Sequence, residues 1–428
     1  MRLESTRGFF RAGFLLITIG NITYTLCSFA ITVLIGRKLG SEEFGIYALG
    51  VAISGLVWRF FMVGPTSILG REVARVPEKG ILEFRRFLIF EFLSIPIGLL
   101  LTFVYSSLVG YAERIIALIV LISSAKVVEY LQDAIRYYSL GVMNEAAFGT
   151  SLLLRGISLL IAVSVPLYLG FNLEGIVLSQ LGFNIILFLV LYHRFTPGFS
   201  FSLNFQNMKW MVSESLPLSF SGLLSVLFSR IDILMLSGMA GVREVGLYNA
   251  ALALPLGMAI IPSSLASQMF PRLSNLYTNN KPESYKLIKR YIFVTVLFGL
   301  ITSLTLFIVG GKVINFLFGK EYQEATLALM ILGFGFIFRF ATQITGTALT
   351  AMNLQRYSVP LYIIAIICNA IGNYLLIPPL SYVGCAISTS FSFLLLFSMS
   401  LIVICRAFRF KVMEGREIKE SLKEISKP

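Results

Sequence analysis

The sequence predicts an all-α integral membrane protein of about twelve transmembrane helices arranged as two pseudo-symmetric six-helix lobes. Of the 428 residues, 57% are hydrophobic and 13% charged, about half the charged share of a soluble domain, so there is too little polar surface to face water. A mean hydropathy of +0.83 over the whole chain requires apolar segments that recur rather than a single anchor. A motif near residue 40 returns 201 residues later, which divides the chain into related halves. The expected organisation is an N-terminal lobe at 1–200, a C-terminal lobe at 201–410 and a charged tail at 411–428.

A helical span needs about 20 largely apolar residues at 1.5 Å each. The first runs over 12–36. Arg2, Arg7 and Arg11 precede it as they would a signal peptide, but the apolar run is longer than a signal core and no small-residue cleavage site follows. Spans at 44–64 and 87–109 come next, the latter with Pro96 at its middle. The fourth, 114–137, carries Lys126, Glu129, Asp133 and Arg136, whereas 146–168 and 174–193 are cleaner and complete the first half. The second half holds 214–237, then 244–270 with Pro255 and Pro262 as local kink sites, then 289–309, 322–347, 357–378 and 382–405.

The formal charge of +13 is accounted for mainly by topology. Six cations, Arg37, Lys38, Arg114, Arg243, Lys312 and Lys320, fall on one side of the membrane. All but five of the others fall in the loops and ends on the opposite side, which places both termini in the cytoplasm of a multi-pass protein of the cell membrane. Contact of the basic loops with anionic membrane lipids follows, and no nucleic-acid motif surrounds them. Cys27, Cys368, Cys385 and Cys405 sit in apolar segments without metal or redox spacing, and His193 stands beside Arg194 at a helix end. There is no ATP-binding glycine loop and no metal-ligand cluster, so neither an enzyme nor a bound cofactor is expected.

The repeat pairs Gly40, Glu43, Gly45 and Tyr47 with Gly241, Glu244, Gly246 and Tyr248, and Arg71 with Arg272 at the same offset. Both copies follow the first span of a half with an even number of spans, so the halves are expected to be parallel, related by an axis along the membrane normal, with a substrate cavity between them. The glycines suit a tight turn and the tyrosines a headgroup-level position. A weaker echo at an offset of 209 pairs Met143-Asn144 with Met352-Asn353, Gly175 with Gly384 and Ser179 with Ser388.

Five cations lie inside spans: Arg59, Lys126, Arg155, Arg230 and Arg339. Each costs roughly 2.5–3.5 kcal/mol at a helix centre, which argues against a lipid-facing position. Lys126 has Glu129 three residues on and reads as a self-neutralised pair. Arg59, Arg155, Arg230 and Arg339 have no acid at helical spacing. They read either as the lining of a cationic cavity suited to the oxygens of a phosphate, or as arginines that snorkel or cap carbonyls near helix ends. Asn21, Tyr24 and Ser28 on the first span, with Asn369 and Asn373 on the eleventh, suit either glycan hydroxyls or interhelical hydrogen bonds.

Leu39 to Tyr47, Gly64 to Arg71, Arg230-Ile231-Asp232-Ile233-Leu234-Met235-Leu236, Val245 to Tyr248 and Phe270-Pro271-Arg272-Leu273-Ser274 together resemble the polysaccharide transporter, or O-antigen (Wzx-type) flippase, branch of the multidrug/oligosaccharidyl-lipid/polysaccharide (MOP) exporter superfamily. The resemblance implies a MATE-like pair of lobes that flips polyprenyl-diphosphate-linked oligosaccharide from the cytoplasmic to the outer leaflet. On that reading Arg59, Arg155, Arg230 and Arg339 meet the diphosphate, H+ or Na+ is a candidate coupling ion, and a glycan polymerase or glycosyltransferases are candidate partners. A cation-coupled multidrug exporter, a lipid II flippase of the same superfamily and a membrane scaffold are the alternatives. The first would favour an acidic cavity and the second resembles a fourteen-span protein.

Overall fold

The computed structural model describes the backbone of residues 2–76, 78, 80–196 and 208–425. It describes their side chains apart from 2–12, 14, 63–65, 67, 208, 209, 212, 218, 221 and 409–425. The side chains of Arg2, Arg7, Arg11, Lys209 and the tail, and all of Lys79, lie outside the described set. Among the described residues there is no strand.

The helices are α1 (Arg2–Trp58), α2 (Gly64–Arg75), α3 (Gly80–Val109), α4 (Glu113–Gly141), α5 (Glu145–Tyr168), α6 (Leu173–Phe195), α7 (Met208–Met239), α8 (Val242–Met258), α9 (Ile260–Asn279), α10 (Lys281–Phe318), α11 (Thr326–Ala351) and α12 (Ser358–Ile425). A single π-helical turn, Arg59–Val63, joins α1 to α2. The backbone of the expected tail continues α12 to Ile425.

Nine helical segments among the described residues are long and apolar enough to cross a membrane, or ten when α8 and α9, bent by 40°, form one span. Two of the nine are too long to be single crossings: Leu15–Met62, at 48 residues, would extend about 72 Å against a hydrocarbon thickness of about 30 Å. Each contains one non-helical residue, Gly40 (φ 82°) in α1 and Ser381 (φ 52°) in α12. The left-handed conformation at Gly40 needs no Cβ, and this is the turn that the first motif copy was expected to make. In the second copy Gly241 (φ 105°) ends α7 in the same way.

Helices α3, α4, α5 and α11 also end in left-handed caps. Gly110 and Gly170 occupy the capping position, their amides and the next ones returning to carbonyls three and five residues back. Met143 (φ 59°) and Asn353 (φ 58°) cap α4 and α11 with matching hydrogen bonds, Asn144 N to Ser139 O at 2.8 Å and Leu354 N to Leu349 O at 2.7 Å. The structural offset between these turns is therefore 210. The echo that aligned Met143-Asn144 with Met352-Asn353 at 209 is one residue out of register.

By contacts the chain forms two compact units, residues 1–253 with 315–323 and residues 254–314 with 324–428. In the first, α1 packs along α5 and α4, with Gly20 against the Gly149 carbonyl and Gly156 against the Tyr24 backbone. In the second, α11 packs on α12 and α9, and Gly299 of α10 lies against Ile337 of α11. The units follow packing and the expected boundary at residue 200 follows the repeat, so the two divisions differ.

Candidate functional site

The four arginines singled out from the sequence separate into two groups. Arg155 is buried, and its guanidinium is held by acids of a neighbouring helix: Nη2 donates to Glu129 Oε2 at 2.6 Å and Nη1 to Asp133 Oδ1 at 3.2 Å. Its face lies over the Tyr24 ring, 5.0 Å from the centroid. The expectation of an arginine without an acid is corrected here, because the partners come from α4 and not from Arg155's own helix. Lys126 donates to both oxygens of Glu129, at 2.9 and 3.1 Å, as its helical spacing predicts, and Arg136 pairs with Asp133. Asn184 of α6 ties the cluster down, donating to Glu129 Oε1 at 3.4 Å and to the Ala125 carbonyl at 3.1 Å. Three cations thus share two carboxylates inside the first unit.

Arg59 and Arg230 also belong to the first unit, and both are half-buried. No ion pair within 4 Å forms at either among the described residues, and Arg59 Nε is buried without a hydrogen-bond partner. Arg59 opens the π-helical turn, a local widening that often marks functional positions. Its guanidinium lies against Gly222 of α7, where an added Cβ would come within 3.1 Å of Nε. Arg230 follows eight residues on in the same helix, roughly 12 Å along the axis. In the second unit Arg339 of α11 is half-buried, without an ion pair among the described residues, and sits 5.5 Å from the centroid of the Phe393 ring.

The repeat residues have more definite roles than a surface turn. Within the first unit, a Cβ on Gly45 would run into the Val242 carbonyl, and one on Gly246 into the Ser41 carbonyl. These two contacts are equivalent under the 201-residue offset, so the motif copies cross each other at their glycines. Tyr248 is fully buried and its hydroxyl donates to Asp232, which joins the Arg230-Ile231-Asp232 run to the second motif copy. Tyr47 is half-buried, its hydroxyl accepting from Gln180 Nε2 at 3.2 Å. Each tyrosine is anchored in the helix packing by its hydroxyl. Arg71 pairs with Glu72 at 3.0 Å and Glu214 at 3.3 Å, whereas Arg272 is exposed on α9.

The asparagine pair proves structural. Asn373 Nδ2 donates to Asn369 Oδ1 at 2.8 Å, and the Asn369 carbonyl accepts from Ser388 Oγ at 2.9 Å, linking the two arms of α12. One residue escaped an inventory confined to cations. Glu91 of α3 is completely buried, and neither carboxylate oxygen has a hydrogen-bond partner among the described residues. Its position between Phe90 and Phe92 in an apolar run was the available signal.

This helical arrangement is the fold of solved multi-pass membrane transporters of the MOP superfamily. It aligns with an inward-facing multidrug resistance MATE family transporter of that superfamily at a TM-score of 0.70 and 15% identity, over 94% of this chain and 96% of that one. With lipid II flippase MurJ in an inward closed conformation the TM-score is 0.74 at 14% identity, over 97% and 93%. Within that class the chain belongs to the polysaccharide biosynthesis protein family, whose model matches residues 10–277, while the lipid II flippase MurJ family model matches residues 175–427. A curated relative, capsular polysaccharide biosynthesis protein CapF of Staphylococcus aureus, is 25% identical over 383 residues, covering 87% of this chain and 94% of its own length.

Proposed function

We propose that this protein flips a polyprenyl-diphosphate-linked oligosaccharide across the cell membrane, from the cytoplasmic to the outer leaflet, for polysaccharide biosynthesis. Family membership supplies the substrate class. The observation that carries the mechanism is that Arg59, Arg230 and Arg339 are half-buried and form no ion pair within 4 Å among the described residues; Asp232, which accepts from the Tyr248 hydroxyl, acts on Arg230 only from beyond that distance. Such guanidiniums are costly unless a mobile anion or water meets them, and their planar forks match phosphate oxygens. Arg59, lying against Gly222 of α7, and Arg230, eight residues further along that helix, offer the diphosphate successive contacts in the first unit, and Arg339 offers one in the second. Arg155 is already engaged by Glu129 and Asp133 and acts as a structural residue.

Dividing the two overlong helices at Gly40 and Ser381 brings ten spans to twelve; an even count puts the termini on one side, and the cation distribution favours the cytoplasm. H+ or Na+ is the candidate coupling ion, and a glycan polymerase or glycosyltransferases the candidate partners. The test is reconstitution in proteoliposomes with a polyprenyl-diphosphate oligosaccharide, following protection of the glycan from an external glycosidase. Arg230→Ala and Arg339→Ala should each abolish translocation while inserting normally; undiminished flipping by both would overturn the proposal. The MurJ match favours lipid II as a second substrate to be tried in the same assay.

A further inference from the structure

Arg272 and its counterpart Arg71 occupy equivalent places in the repeat, yet their surroundings differ. Arg71 is neutralised by Glu72 and Glu214. In the second copy the position of Glu72 is taken by Leu273, which is buried in the apolar core, and Arg272 forms no ion pair among the described residues. Arg272 instead lines a cleft of about 280 Å³ between α9 and α10, together with Leu265, Leu287, Arg290, Tyr291 and Val294. Arg290 is likewise exposed and without an ion pair among the described residues. The cleft lies wholly within the second unit.

The composition of the two helices fixes its depth. Residues 245–271 and 291–311 carry no charge, and Arg272 and Arg290 are the first cations met on leaving those apolar stretches. The helices meet at Asn280, eight residues beyond Arg272 and ten before Arg290, so the arginines stand at similar heights, roughly 12 and 15 Å from the turn. Both therefore mark one membrane–water boundary. Leu265 and Val294, seven residues from Arg272 and four from Arg290, continue the cleft toward the hydrocarbon. Two guanidiniums and a tyrosine at the interface above an apolar wall have the order of a lipid, phosphate above and chain below.

We infer that this cleft binds the phosphate headgroup of a membrane lipid, independently of the transport reaction. The phosphate is that of an anionic phospholipid or of a polyprenyl phosphate. The test uses the full chain in detergent and native mass spectrometry, adding phosphatidylglycerol, phosphatidylcholine, undecaprenyl phosphate or inorganic phosphate in turn. Phosphatidylglycerol or undecaprenyl phosphate should be retained about ten-fold more than phosphatidylcholine, with the difference lost in Arg272→Gln/Arg290→Gln and kept in Arg194→Gln, an exposed arginine on α6. Which of the two is retained identifies the source. Equal retention of phosphatidylglycerol, undecaprenyl phosphate and phosphatidylcholine by the unmodified chain would overturn the inference whatever the variants do. Displacement of the retained lipid by inorganic phosphate at equal concentration would overturn the lipid part of it. Glycan translocation is not read in this assay, so its outcome does not depend on the transport proposal.

Discussion

Glu129 is the residue on which the first unit's buried charge depends, since it accepts from Lys126, Arg155 and Asn184 at once. Removing its charge leaves the buried Arg155 and the half-buried Lys126 without their main counterion, a change that costs about 3–5 kcal/mol where one partner of a buried pair is lost. Glu129→Gln should lower the thermal stability of the purified protein sharply, and a melting temperature within a degree of the parent would refute that role. Glu91 presents the opposite case. Its carboxylate oxygens have no partner among the described residues, so replacing it by an isosteric apolar side chain removes a desolvation cost of about 1–3 kcal/mol. Glu91→Leu should therefore raise the melting temperature; a fall would mean that the carboxyl is satisfied in the native protein. The sequence made the Lys126–Glu129 pair legible because its members are three residues apart on one helix. The acids that engage Arg155 are 22 and 26 residues away on another helix, and spacing along a chain carries no information about such a contact.

At the scale of elements, the spans were legible to within a few residues where apolar runs end in glycine caps or charged turns, as at Gly110 and Gly170. The motif's repetition was legible too, but its reason was not: a 201-residue offset does not say that Gly45 and Gly246 touch each other's helices. That contact separates two kinds of glycine. At Gly45 a methyl group would collide with the Val242 carbonyl, while at Gly110 there is open space and only the left-handed backbone, φ 83°, to penalise a side chain. Gly110→Ala should cost about 1–2 kcal/mol, the price of one residue in that conformation. Gly45→Ala should cost more, through forced separation of two helices, and thermal unfolding of the two variants side by side measures the difference. Equal losses would show that the crossing can relax. Met143 holds the same conformation as Gly110 without being glycine, so Met143→Gly should stabilise the cap of α4, a gain read in the same measurement.

For the whole molecule, composition and hydropathy were sufficient to predict a helical membrane protein, because apolar excess spread along a chain has few other solutions. The compact units were not legible, since they divide within α8 and take in residues 315–323 from far along the chain. Orientation rests on the cation count and can be tested together with the span count. Ala112 and Asn280 are exposed, each in the turn after a helix. Three crossings precede Ala112 and eight precede Asn280 when the helices broken at Gly40 and between α8 and α9 are divided or joined as proposed. Five crossings separate the two positions, and an odd number puts them on opposite sides. With Cys27, Cys368, Cys385 and Cys405 replaced by serine, a cysteine at Ala112 should react with an impermeant maleimide in intact cells, and one at Asn280 only after permeabilisation. The reverse pattern would keep the span count and invert the orientation. Reaction of both in intact cells would break the count itself, and with it the parallel relation of the two halves, which requires each to contain an even number of crossings.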